Sequence, residues 1–318
     1  MHKGFWKNLP KPFFCLAPMA EVTDSTFRQI IIKYGAPDVV WTEFVSADGL
    51  CSIGKKRLLL DLKYTKKEKP IVAQIFGSNL DNMYKAAKLI KELGFDGVDI
   101  NMGCPDRTIE KQGAGASHMK DYKHAQKIIK AVQDGVGKTP VSVKTRLGYN
   151  KNEIETWVPA LLEMDIAVLI MHARTRKEMS KVPANWDLIK RTVEITKTSG
   201  KETLIIGNGD IENLEQGRQK AQETNCDGIM IGRAILGNLT LFSEKNLSTK
   251  EKLEIIVEHT YLFEKLYKDI KNFSIMKKHF SAYVSGFNGA KELRMKLMET
   301  TNAKQVEEII KNSKYLLK

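Results

Sequence analysis

Several short segments of this chain carry residues that can do chemistry together. Gly207-Asn208-Gly209-Asp210 and Gly232-Arg233 are glycine-containing turns that let backbone N–H groups approach a phosphate, with Arg233 adding charge-assisted donors. Lys144, in Lys144-Thr145-Arg146, and Gln74 can address the edge of a heterocycle, because an amide donates and accepts at once and an ammonium is a fixed cation. Ala17-Pro18-Met19-Ala20 is a tight turn whose thioether can lie against a planar ring. Asn101-Met102-Gly103-Cys104-Pro105, followed by Gly113-Ala114-Gly115, sets a thiol in a glycine-rich loop. His172-Ala173-Arg174-Thr175-Arg176 adds an imidazole and two guanidinium groups. Singly, each has an ordinary explanation: a loop amide, a solvated lysine, a cysteine packed as a small hydrophobe.

Their meaning lies in the elements that must position them. Eight short apolar runs recur along the chain: Phe13–Ala17, Val39–Thr42, Ile71–Phe76, Gly97–Ile100, Val141–Thr145, Ala167–Met171, Leu204–Gly207 and Gly228–Ile231. They are continuously apolar, as strands of a parallel sheet buried on both faces must be. Helical patterns lie between them. Asp24 caps one whose Phe27, Ile30, Ile31 and Tyr34 share a face, and Ser78 or Asn79 opens another. Weaker patterns cover about 121–134, 153–164, 186–198 and 211–223. Eight strands alternating with helices predict an α/β fold, a (β/α)8 TIM barrel over 1–244. No G-x-G-x-x-G turn follows the first run, as a dinucleotide-binding sheet would want. In such a barrel ligand chemistry sits at the C-terminal strand ends. Seven of the eight ends carry the groups above, Thr42-Glu43 being merely polar. With a phosphate and a ring both provided for, FMN is the natural occupant.

From about residue 245 the strand signals cease. Ser248 with Glu251 and Asn302 with Gln305 read as helix caps, so 245–318 is expected to be a small all-helical domain. It holds 15 Lys+Arg against 9 Asp+Glu, a large share of the net +13 of the 318-residue chain. A composition 42% hydrophobic and 28% charged excludes wholesale disorder, and no apolar run is long enough to span a bilayer. The N-terminus lacks a signal peptide's apolar core, and Cys15, Cys51, Cys104 and Cys226 form neither a C-x-x-C pair nor a metal pattern. A cytoplasmic protein without a metal or a membrane association is expected, acting as a monomer. The positive balance points to a polyanionic partner without identifying it.

The set Ala-Pro-Met (17–19), Asn-Met-Gly-Cys-Pro (101–105), Lys-Thr-Arg (144–146), His-Ala-Arg-Thr (172–175), Asn-Gly-Asp (208–210) and Ile-Gly-Arg (231–233) resembles the tRNA-dihydrouridine synthase family across the whole barrel, and the helical tail agrees. Asn-x-Gly-Cys-Pro is its most specific motif; Asn-Gly-Asp and Ile-Gly-Arg recur in many flavin barrels. The resemblance implies reduction of uridine to 5,6-dihydrouridine in tRNA, with FMN as cofactor and NADPH as reductant. By motif, Pro18, Met19, Ala20, Gln74, Lys144, His172, Asn208, Gly209, Asp210, Gly232 and Arg233 would bind FMN, and Cys104 would be the general acid. Reduced FMN would give hydride to C6 and Cys104 a proton to C5, a task suiting a thiol with an ordinary pKa of about 8.5.

Substrate RNA is expected at Asn101, Arg146, Arg174 and Arg176 on the rim, and at Lys277, Lys278 and Arg294, with Lys271 and Lys291, in the tail. Phe273, Phe280, Tyr283 and Phe287 fit base stacking but fit a packed helix face better. Ala173 stands where the family commonly has Gly, and Pro183 lies in an expected glycine-containing loop; both bear on loop shape near the RNA. Two other readings remain: a small-molecule FMN reductase of the dihydroorotate dehydrogenase type, disfavoured by the basic tail, and an RNA-binding protein that has lost catalysis, disfavoured by Cys104, Lys144 and Gln74.

Overall fold

The computed structural model describes residues 3–243 and 245–313. Eight parallel strands close into a barrel in sequence order: β1 (Phe13–Leu16), β2 (Val39–Ser46), β3 (Ile71–Phe76), β4 (Gly97–Met102), β5 (Val141–Arg146), β6 (Val168–His172), β7 (Leu204–Asn208) and β8 (Gly228–Ile231). Closure comes from β1 pairing with β8, Phe13 against Gly228 through Leu16 against Ile231. The helices are α1 (Ser25–Gly35), α2 (Leu80–Glu92), α3 (Tyr122–Val136), α4 (Ile154–Leu162), α5 (Trp186–Thr198) and α6 (Leu214–Thr224), followed by α7 (Thr249–Tyr267), α8 (Lys277–Tyr283), α9 (Ala290–Met298) and α10 (Ala303–Lys311). The expected caps are present: Asp24 accepts from the Phe27 N–H, Asn79 from Asn82, and Ser248 with Glu251 forms a capping box. The second strand runs further than its apolar signal. A register shift between Trp41 and Phe44 bulges it at Thr42 and Glu43, and pairing resumes to Ser46.

The chain forms two compact units, Met1–Pro18 with Asp38–Gly232, and Met19–Pro37 with Arg233–Lys318. Sequence patterning puts the division at 244/245 and gives α1 to the barrel; Glu244 itself lies outside the described residues. In the barrel unit, Trp6 of a short 3-10 turn (Gly4–Asn8) packs on Phe13 and Trp41 and closes one end of the interior. Phe13, Cys15, Val39, Trp41, Val72, Val168, Ile170, Leu204, Ile206 and Met230 continue that apolar interior. This is a packed core, with room for polar groups only at its other end.

In the second unit, α1 packs on the tail helices because its polar end is tied there. Thr26 donates to Asp24 at 2.6 Å and stands 3.1 Å from His259 Nε2, while Tyr283 Oη lies 2.9 Å from His259 Nδ1. This network closes with a neutral His259. Beside it lies His279, fully buried, with no hydrogen-bond partner on either ring nitrogen among the described residues and its ring 4.9 Å from that of Phe27. Burial lowers the pKa of both imidazoles, that of His279 to about 4. An unfolded histidine titrates near about 6.5. The native state therefore resists a proton the unfolded chain accepts, and stability present above about pH 6.5 is lost as pH falls toward 4. For His279 alone the loss is about 3 kcal/mol. His279→Phe, melted at pH 7 and pH 5, is expected to lose less of its melting temperature on acidification than the wild type. An equal loss would show that His279 does not set the acid limb.

Among the described residues no helix is long and apolar enough to cross a membrane, and no group of three or more His, Cys, Asp or Glu side chains is placed to hold a metal.

Candidate active site at the C-terminal end of the barrel

The polar end of the barrel interior is built by strand register. Gln74 of β3 sits beside Asp99 of β4, Asp99 beside Ser142 of β5, Asn101 beside Lys144, and His172 of β6 beside Asn208 of β7. Alternation then puts Asp99 and Asn101, like Ser142 and Lys144, on the same face of their strands. The side chains make two hydrogen-bonded sets. Gln74 Nε2 donates to Asp99 at 2.6 Å, Ser142 Oγ donates to Asp99 at 2.5 Å, and Asn101 Nδ2 donates to Gln74 Oε1 at 3.1 Å. Lys144 donates to Asn208 Oδ1 at 3.1 Å, and Asn208 donates onward to the Met230 carbonyl.

Cys104 follows β4 in a loop held from three sides. Asn101 Oδ1 accepts from the Gly103 and Cys104 N–H groups at 3.2 and 2.9 Å, and the Ala116 N–H donates to the Cys104 carbonyl at 2.9 Å. Gly115, at φ +61°, permits this approach: a Cβ there would lie 2.8 Å from the Cys104 carbonyl oxygen. The third brace is Arg146, which donates to the Gly103, Thr175 and Met179 carbonyls at 2.8, 3.2 and 3.0 Å. Cys104 is half-buried, and burial raises its pKa, so the thiol keeps its proton at neutral pH. Lys144 moves the other way. Burial, aided by the nearby Arg146 charge, lowers it to about 8.

Arg174, expected at the RNA, is engaged by protein partners. It is 3% exposed, donating to the Val182 carbonyl at 2.6 Å and pairing with Asp210. Asp210, read as a ligand contact, also accepts from the Ala184 N–H and so braces the loop after β6. The guanidinium is a donor only, so its 3.2 Å contact makes His172 Nε2 the acceptor and leaves the imidazole proton on Nδ1. Arg176 likewise makes a two-point pair with Glu110. Asn101 and Arg146, expected at the RNA, are 7% and 8% exposed and serve the Cys104 loop. Arginine in a rim motif reads as exposed charge; here the loop carbonyls have taken it inward.

The other expected residues fall in two groups. Pro18 and Gly232 directly follow Ala17 and Ile231, which are joined by a 2.9 Å backbone bond, so both stand at the strand ends. Gly209, at φ +137°, has space for no side chain: a Cβ would meet that of Ala184 at 2.8 Å. Met19, Ala20 and Arg233 belong to the second unit, where Met19 turns on Thr23 and an exposed Arg233 opens a 3-10 turn. So do Lys277, the exposed Lys278 paired with Glu21, and Arg294, bonded to the Val284 carbonyl. Phe280 and Tyr283 are fully buried and pack the helical core. Sequence reasoning missed Asp99, Ser142 and Glu110. The available signal for Asp99 was a lone carboxylate inside the apolar run Gly97–Ile100.

This donor set suits a planar heterocycle over an apolar floor. Gln74 retains one N–H and one lone pair beyond its bonds to Asp99 and Asn101, and Lys144 supplies a cation. Gly209 lets the turn after β7 pack directly on Ala184, with the Asn208 side chain at its start.

A family model described as "Dihydrouridine synthase (Dus)" matches residues 15–317. A probable tRNA-dihydrouridine synthase 2 of Bacillus subtilis is 39% identical over 98% of this chain and 96% of its own. A probable tRNA-dihydrouridine synthase of Staphylococcus aureus is 38% identical over 98% and 95%. Among solved structures, an old yellow enzyme homologue from Zymomonas mobilis superposes with TM-score 0.52 at 14% identity, covering 74% of this chain and 89% of that one. Histamine dehydrogenase from Rhizobium gives TM-score 0.55 at 13% identity, covering 78% and 48%. At these identities the two structures speak for the barrel fold alone.

Proposed function

Since the chain belongs to the dihydrouridine synthase family, we propose that it reduces the C5=C6 bond of uridine in tRNA, with FMN as cofactor and NADPH as the reductant. The observation that carries this reading is the half-buried Cys104 thiol, three residues beyond Asn101, which pairs in register with Lys144. FMN, when bound, supplies the hydride. Pro18, Gln74, Lys144, His172, Asn208, Gly209 and Gly232 hold it: Lys144 offsets negative charge, the buried Gln74 amide backs the polar edge of the ring, and the glycine-containing turns after β7 and β8 take the phosphate. Cys104 gives its proton to C5 as C6 is reduced. Burial suits it to that task, because it raises the thiol pKa and excludes competing water.

Uridine must leave its stack to reach a thiol at the barrel end, an unstacking cost of a few kcal/mol. Phosphate contacts by the positively charged helical tail offset it, with Lys277 and Lys291 as contributors. The direct test supplies purified protein with FMN, NADPH and tRNA transcribed without modifications. Dihydrouridine is expected in the RNA. NADPH oxidation with no dihydrouridine, or reduction of free pyrimidines in preference to tRNA, would overturn the proposal.

A further inference from the structure

Beneath the site lies a buried carboxylate that the reaction does not use. Asp99 is 0% exposed and is flanked in register by Gln74 and Ser142. Its neighbours fix what each group can do. An ionised carboxylate only accepts, so Gln74 must turn its amide nitrogen toward Asp99 and its carbonyl away. That carbonyl accepts from Asn101, so Asn101 must present its nitrogen to Gln74 and its oxygen outward. The outward oxygen is the acceptor for the Gly103 and Cys104 N–H groups. A reversed Asn101 would face those N–H groups with a donor, and nothing in the Asn101 side chain itself prevents reversal. The direction of the chain is set at both ends: the loop N–H groups require an acceptor from Asn101, and the carboxylate requires a donor from Gln74.

We propose that Asp99 is a positioning residue for Cys104: its carboxylate polarises the Asp99–Gln74–Asn101 hydrogen-bond chain so that Asn101 can hold the loop carrying the thiol. The proposal rests on the reading of Cys104 as the proton donor to uridine. Its physical content is directional, and direction can be reversed. Asp99→Asn alone is tolerated, because the new amide can still offer oxygen to Gln74 while its nitrogen donates to Ser142. Asn101→Asp alone is not, because Gln74 then faces a carboxylate on each side and has one amide nitrogen to serve both. Combining the two substitutions restores every bond, with the two bonds of Gln74 reversed and those to the loop and to Ser142 unchanged in direction. The carboxylate introduced on the Cys104 side accepts from the loop and from Gln74 Nε2. Gln74 Oε1 then accepts from the amide nitrogen introduced at the far end, and the oxygen of that amide accepts from Ser142.

The test follows alkylation of Cys104 by iodoacetamide in the flavin-loaded protein, reading the Cys104 peptide by mass spectrometry so that exposed Cys51 does not interfere. Asn101→Asp is expected to speed alkylation about tenfold, the effect of freeing a loop held by one or two such hydrogen bonds. Asp99→Asn alone, and the double variant Asn101→Asp with Asp99→Asn, are expected to stay within about twofold to threefold of wild type, inside the weight of one hydrogen bond. Asn101→Asp with Asp99→Leu removes the same charge without supplying a donor, and is expected to remain fast. A double Asp–Asn swap as fast as Asn101→Asp alone would overturn the proposal. So would equal rescue by leucine, which would assign the effect to charge repulsion. Alkylation needs no RNA turnover, so a wild type that makes no dihydrouridine would sink the functional reading while leaving this result to stand or fall separately.

Discussion

Replacing Cys104 with alanine is expected to lower kcat/KM for dihydrouridine formation in tRNA by roughly 10²–10⁴-fold, the usual worth of a positioned general acid. The loop should survive the change. Its braces are the Asn101 side chain on two backbone N–H groups, the Ala116 N–H on the Cys104 carbonyl, and Arg146 on the Gly103 carbonyl, none of which uses the thiol. Flavin content and melting temperature should therefore match the wild type while product formation collapses. Cys104→Ser should fall between wild type and alanine, since a hydroxyl is a much weaker acid than a thiol. The measurement is single-turnover formation of dihydrouridine with pre-reduced enzyme. Unchanged rates in Cys104→Ala would remove the thiol from the reaction.

Lys144→Met is expected to weaken flavin binding by about 10-fold to 100-fold, the loss of one charge-assisted contact from a partly buried site. The change also has a pH signature. Burial, then the Arg146 charge, depress Lys144 from the ordinary lysine range to about 8. Its cation is thus complete at lower pH and lost as pH rises through about 8. Wild-type affinity for FMN should fall between pH 7 and pH 9, and that part of the fall should be absent in Lys144→Met. Fluorescence titration of apoprotein with FMN at both pH values reads both effects. Equal pH dependence in the two proteins would show that Lys144 does not sense the cofactor.

The barrel is legible in the sequence because strands buried on both faces must be continuously apolar. Ile71–Phe76 and Gly228–Ile231 coincide with β3 and β8 for that reason. β2 is misread at its end because Thr42-Glu43 interrupts the apolar signal, whereas in the fold the interruption is a bulge and the strand continues. The site is legible where a residue type has one natural habitat. Asn-x-Gly-Cys-Pro and Lys-Thr-Arg lie at strand ends, and register brings Asn101, Cys104, Lys144 and Arg146 into one cluster.

The partners of charged residues are not legible in the sequence. Arg174 and Arg176 read as a surface for RNA, and both are committed to protein partners, Asp210 and Glu110, distant in sequence. Asp99 is overlooked for the converse reason, because a carboxylate inside an apolar run looks like noise until strand register supplies Gln74 and Ser142 as donors. The assignment of α1 is likewise invisible. Its amphipathic pattern shows that it must pack on something, but His259 lies 233 residues from Thr26.

The central claim, that this chain makes dihydrouridine in tRNA through Cys104, is tested most directly in a strain whose own dihydrouridine synthases have been deleted. Expression of the wild-type protein should restore dihydrouridine at defined tRNA positions, and expression of Cys104→Ala to the same level should not. Wild-type protein that accumulates, binds flavin and leaves the tRNA without dihydrouridine would contradict the account.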